Sequence, residues 1–209
     1  VSGATALLRN EPVQARSTAR LTSLLDAAAA AIDAVGYERL TTAMVAERAG
    51  ASIGTVYRYF PDRIAVLQSV AARAIDRFTE RVDATLTRHE HATWWDAFEA
   101  LIDDGVDAFA HEPGFAALRF GDVLDLRPRD VTRTGSSRVA DAIAPIMVAR
   151  YGLPEGDLAF RLEVLFNLVD SLLARAFAFD RKGDPGYIAE AKKVARSYLV
   201  SVYGEPRGR

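Results

Sequence analysis

The chain has 209 residues, half of them hydrophobic and 26% charged, with 26 Lys and Arg against 28 Asp and Glu for a net charge of −2. That length buries a real core and suits one or two domains, while the balance is that of a soluble globular protein. Cysteine is absent, which excludes disulfides and cysteine-ligated zinc. No apolar run approaches the roughly 18 residues of a membrane span and no signal-peptide pattern opens the chain, so a cytoplasmic protein with no membrane partner is expected.

Residues 1–17 hold Gly3, Asn10 and Pro12 without apolar periodicity and are predicted to form a flexible arm. From Thr18 the pattern is helical: Leu21, Leu25, Ala28, Ile32 and Val35 share one face, and Gly36 supplies a left-handed stop. Thr41 or Thr42 caps a second helix that runs through Ala49 and ends at Gly50, and Ser52 caps a third that runs to Phe60. Pro61 and Asp62 start a fourth, Arg63 to Arg88, free of internal Gly and Pro and expected to be a rigid link. A fifth spans Thr93 to Ala110. After Pro113 and Gly114 come a short apolar segment, Phe115 to Leu124, and a loop, Asp125 to Gly135. Helical patterning resumes from Ser136 to Tyr151, with a kink or restart expected at Pro145. Two more helices, Asp157 to Asp180 and Pro185 to Tyr203, close the chain. No strand alternation persists, so the fold class is all-α.

Thr41 to Arg63 carries the chemistry. A helix that enters a DNA major groove needs a small or polar N-terminal turn that lets its backbone approach base edges, with hydroxyls and cations flanking it to hold phosphates. Ser52, Ile53, Gly54 and Thr55 meet the first need; Tyr57, Arg58, Tyr59 and Arg63 meet the second. Val45, Ala46, Ala49 and Val56 would let two helices pack closely, with Gly50 at the turn. The overall charge is slightly acidic, but DNA binding needs only a local basic footprint, for which Arg9, Arg16, Arg20, Arg58 and Arg63 are available. A footprint this thin predicts modest, salt-dependent affinity.

In this order the residues resemble the helix-turn-helix of the TetR family of bacterial transcriptional regulators. The match runs through Thr42, Val45, Ala46, Ala49, Gly50, Ser52, Gly54, Thr55, Tyr57, Tyr59 and Phe60. Ala51 stands for the common Val and Arg63 for the common Lys, while Ile64 occupies a position that is often acidic. The resemblance covers about residues 18–67 and implies an N-terminal three-helix helix-turn-helix domain, residues 18–64, followed by a C-terminal helical ligand-binding and dimerisation domain, residues 65–209. It places Thr42, Tyr57, Tyr59 and Arg63 at phosphates, and Ala43, Ser52, Ile53, Gly54, Thr55 and Arg58 at bases or along the groove. Ala43 has no side-chain hydrogen bond to offer a base, and Arg58 is the candidate for guanine O6 and N7. The Arg-bearing arm, Arg9 to Arg20, would add minor-groove or phosphate contacts.

The rest of the chain is read more coarsely. Trp94, Trp95, Phe98, Phe109, Phe115, Phe120, Phe166 and Phe177 form an aromatic set that serves as core or as the lining of an effector pocket. Arg119, Asn167 and Asp170 lie among apolar residues and need a partner, a water or a ligand there. Trp94, Phe98, Arg119, Phe120, Phe166, Asn167 and Asp170 are therefore the candidate contacts for a small, largely apolar effector with a polar handle. Leu162, Leu165, Val169 and Leu173, with Val194, Tyr198 and Val202, are candidates for a homodimer interface built as a four-helix bundle.

The histidines His89, His91 and His111 lack the spacing of a metal pair, and neither a catalytic constellation nor a cofactor motif is present. The expectation is a repressor, not an enzyme, that is released from a palindromic double-stranded DNA operator when its effector binds. The alternatives are a regulator of the same fold without a small-molecule ligand, and a helical enzyme that carries a helix-turn-helix.

Overall fold

The computed structural model describes residues 4–119 and 134–206, with side chains from Ala15 onward. Nine α-helices and one 3-10 turn, and no strand, occur among the described residues. None of these helices is long and apolar enough to cross a membrane. The chain divides into two compact units, up to Val70 and from Ala71.

The first unit contains α1 (Ala4–Val35), a 3-10 turn (Tyr37–Arg39), α2 (Thr42–Arg48), α3 (Ile53–Tyr59) and the start of α4 (Arg63–Arg88). Leu24, Ala28, Ile32, Leu40, Val45, Val56, Val66 and Leu67 are almost wholly buried. The stop after α1 differs from expectation. Gly36 has φ 82° and ψ 155°, an extended glycine conformation rather than the left-handed cap, and it leads into the 3-10 turn. The start differs too: α1 begins at Ala4, so the stretch predicted as an arm is helical from there on. Pro12 removes one intrahelical N–H, but Ala, Leu, Gln and Arg around it favour a helix.

The second unit holds the rest of α4, α5 (Trp94–His111), α6 (Phe115–Leu118), α7 (Gly135–Tyr151), α8 (Leu158–Ala176) and α9 (Pro185–Tyr203). α8 packs against α7, α9 and α5, and so lies at the centre of this unit. A capping box starts α5: the Thr93 hydroxyl accepts from the Asp96 N–H while the Asp96 carboxylate accepts from the Thr93 N–H. α7 passes through Pro145 as a single helix, which excludes the restart among the two expected outcomes, a kink or a restart. α8 ends before the predicted Asp180, because the Asp184 N–H reaches back to the Ala176 carbonyl (2.9 Å) and the Asp184 carboxylate caps α9. The apolar segment from Phe115 yields only α6 before Arg119 caps it. Phe120 to Leu124 and most of the predicted loop, residues 125–133, lie outside the described residues, and Gly135 already belongs to α7.

Candidate nucleic-acid interface and effector cavity

Three local devices build the corner between α2 and α3. The Thr41 hydroxyl caps α2 by accepting from the Met44 N–H at 3.1 Å. At the other end the Gly50 N–H bonds the Glu47 carbonyl (3.1 Å) and the Ala51 N–H bonds the Ala46 carbonyl (2.9 Å). This paired closure requires the left-handed residue that Gly50 provides at φ 56°. Ser52 then caps α3, its oxygen 3.2 Å from the Thr55 N–H and 2.9 Å from the Thr55 hydroxyl. Val56 and Phe60 anchor α3 inward at 0% and 3% exposure.

Anchoring on that side turns Ile53, Gly54, Tyr57 and Arg58 outward as one contiguous exposed face, with Ala43 and Ser52 also exposed. Thr42 donates to the Tyr57 hydroxyl at 3.3 Å and so orients a ring that is half in solvent. The Tyr59 hydroxyl lies 3.3 Å from the Ser17 hydroxyl and donates to the Ser17 carbonyl at 3.4 Å. Arg63 has a structural task as well as its expected one: its Nη1 donates to the carbonyls of Tyr37 and Glu38, 3.0 Å each, and holds the 3-10 turn. Its other guanidinium donors remain for a phosphate.

In the second unit a small cavity of about 20 Å³ lies between α4, α5, α6 and α8. Of the candidate effector contacts, Phe98, Phe166 and Asp170 line it, together with Phe109 and Phe115 from the aromatic set. Trp94 is buried behind Phe98, the two rings edge to face at 6.2 Å. Arg119 reaches the site through Asp170, donating to it from Nε (2.8 Å) and from Nη2. Asp170 is 5% exposed, so this pair supplies charge compensation that burial of the carboxylate requires. Arg119 is the one non-glycine among the described residues with positive φ, at 52°, a conformation that costs about 1–3 kcal/mol.

Asn167 departs from the expectation. Its side chain is exposed and ties to α8 and α7 instead, donating to the Glu163 carbonyl at 2.9 Å and accepting from Ser136 at 3.3 Å. Phe120 lies outside the described residues. Phe78, Leu101, Ile102 and Gly105 were missed, although helical spacing from Phe98 would have found the three on α5.

The interface candidates divide. Leu162, Leu165, Val169 and Leu173 are 0–7% exposed within their own chain, so they are intrachain core, because α8 is covered by α5, α7 and α9. Val194 and Tyr198 are half-buried and Val202 is exposed. The large apolar side chains that α8 leaves outward are Phe160 and Leu168, at 61% and 40% exposure.

No group of acidic, histidine or cysteine side chains able to hold a metal occurs among the described residues. Asp104 on α5 is a carboxylate held above its ordinary pKa. Burial raises its pKa against a hydrogen bond from Thr85, and its Oδ2 has no hydrogen-bond partner among the described residues.

Residues 24–70 match the model of the bacterial regulatory proteins of the tetR family, and residues 92–203 match that of the tetracyclin repressor-like C-terminal domain. This chain belongs to the TetR family. A TetR-family regulator of known structure from Streptomyces coelicolor is 32% identical, with a TM-score of 0.73 over 88% of this chain and 99% of that one. The transcriptional repressor KstR of Mycobacterium tuberculosis is 38% identical over 78% of this chain and 59% of its own length. KstR of Rhodococcus jostii is 43% identical over 28% of this chain and 27% of its own. The chain thus spans less than two thirds of the curated TetR-family relatives it matches.

Proposed function

We propose that this chain is a cytoplasmic, homodimeric repressor that binds a palindromic operator and releases it when a small, largely apolar effector enters the second unit. The observation that carries the DNA half is the exposed face of Ile53, Gly54, Tyr57 and Arg58 on α3, which Ser52 caps. Arg58 reads a base, Gly54 and Thr55 bring the backbone close, and Thr42, Tyr57, Tyr59 and Arg63 hold phosphates. The matches to proteins named transcriptional repressors support the same reading. Two copies would meet through outward faces of α8 and α9, including Phe160, Leu168, Val194, Tyr198 and Val202, which places two recognition helices on two half-sites. Release is a coupling free energy: the effector favours the dimer whose α3 helices are wrongly spaced.

The effector half rests on an apolar aromatic cavity with one ion pair, Arg119 to Asp170, at its wall. Its 20 Å³ holds no more than about one water, so the effector must displace aromatic side chains to enter. That closed cavity also favours a second reading, a TetR-family regulator that answers to a protein rather than to a small molecule. A band-shift on the promoter beside the protein's own gene, run with and without apolar ligands, tests both. Failure to bind any genomic fragment sinks the DNA half; binding that no ligand reverses, with no ligand-induced rise in Tm, selects the second reading.

A further inference from the structure

We infer that the effector is an apolar amine, whose ammonium group takes the Asp170 carboxylate in the place that Arg119 now holds; this names the ligand class of the cavity and rests on its reading as the effector site. Five phenylalanines stand among the described lining residues, and Asp170 is the one charged side chain there. Asp170 is 5% exposed, whereas Arg119 is 38% exposed and reaches it from the C-terminal cap of α6. The carboxylate therefore belongs to the interior and the guanidinium to the rim.

The sign of the buried charge selects the ligand. An anionic head would face a carboxylate in a medium of low dielectric, and drawing Arg119 away would leave Asp170 buried and uncompensated. A ketone or an ester only accepts hydrogen bonds and has nothing to donate to a second acceptor. An ammonium group supplies what the carboxylate requires, and the faces of phenylalanine rings attract a cation and repel an anion. Size agrees with charge. The cavity of about 20 Å³ holds about one water, and a primary ammonium head is of that order, so the apolar body alone must displace side chains.

Arg119 is the displaceable member of the pair. Its φ of 52° is a strained conformation for a residue other than glycine, held only by surrounding contacts. Its Nε and Nη2 both donate to the same oxygen, Oδ2 of Asp170. When an ammonium group takes that oxygen, Arg119 returns to solvent from a position already more than one third exposed, and its backbone relaxes. The exchange of one cation for another keeps the buried carboxylate compensated, and it releases the end of α6.

The test measures binding to the full chain at neutral pH, by isothermal titration and by Tm, with three probes of one chain length: hexylammonium, hexanol and hexanoate. Hexylammonium should bind about tenfold tighter than hexanol, the difference made by a hydrogen bond to a charged group, and hexanoate should not bind. Asp170→Asn should abolish the preference for the amine. Arg119→Gln should tighten hexylammonium about tenfold, because its competitor is gone; a purely structural role for the pair predicts weaker binding in both variants. Hexanoate or hexanol that matches hexylammonium, or an amine preference that survives in Asp170→Asn, overturns the inference and leaves the effector reading standing. Should a variant fail to fold, the order of the three probes on the wild-type chain decides. Neither heat nor a Tm shift with any of the three overturns the effector reading itself.

Discussion

The two units place their candidate functional residues in opposite ways. In the first, Ile53, Tyr57 and Arg58 face outward, and their position depends on Val56 on the other side of the same short helix and on Phe60 just past its end. In the second, Phe98, Phe109, Phe115 and Phe166 line the cavity and are themselves the core. An outward site can vary in chemistry without disturbing its scaffold. An inward one cannot, since each lining residue also sets packing. The helix-turn-helix face should therefore separate stability from binding under mutation, and the cavity should couple them.

The largest expected effect tests the anchors. Phe60→Ala should cost about 3–5 kcal/mol and abolish duplex binding with the fold, whereas Arg58→Ala should leave the melting curve within about 0.5 kcal/mol and relax sequence preference alone. Chemical denaturation beside band-shifts on variant operators reads both; equal destabilisation by the two changes would break the contrast between the units.

Next in size is the ion pair at the cavity wall. Asp170→Ala leaves Arg119 without the carboxylate oxygen that accepts from its Nε and Nη2 and should cost about 1–3 kcal/mol, and the double change with Arg119→Ala should recover part of that loss. Additive losses in a double-mutant cycle would show that the pair does not hold the cavity wall. A cap at the DNA face comes third: Ser52→Ala should cost about 1 kcal/mol, with a parallel fall in DNA affinity because the α3 N-terminus frays.

The smallest effect is electrostatic. Burial raises the Asp104 pKa above its ordinary value, so its ionised form costs stability above the folded pKa, and that cost is relieved as pH falls toward the unfolded value. Asp104→Asn should raise Tm slightly at neutral pH, and the gain should vanish in acid. A gain that persists unchanged in acid would remove Asp104 from the account.

Some elements were legible because their signals are local. Arg63 to Arg88 and Pro185 to Tyr203 were placed at their observed ends, since the first has no internal breaker and the second opens on Asp-Pro and closes before Gly204. The Ser52 cap was legible for the same reason, and the α2 cap was narrowed to Thr41 or Thr42, of which Thr41 is the one observed. The stop at Gly36 was not, because a glycine permits several positive-φ conformations and the following turn chose one. Helical continuation from Ala4 was missed because apolar periodicity marks burial, and residues 15–20 are all exposed.

The sequence by itself determined the helix-turn-helix: hydroxyl caps, a glycine turn and an ordered set of small and aromatic residues within a short span, each acting over a few positions. Only tertiary structure decided which face of α8 turns inward. Leu162, Leu165, Val169 and Leu173 read from the sequence as interface, and only the cover of α5, α7 and α9 shows them to be core. The pairing of Arg119 with Asp170, and the assignment of Asn167 to Ser136 instead of the cavity, were likewise decided there. Helical periodicity states that a stripe is apolar, whereas which neighbour covers it depends on contacts between residues far apart in the chain.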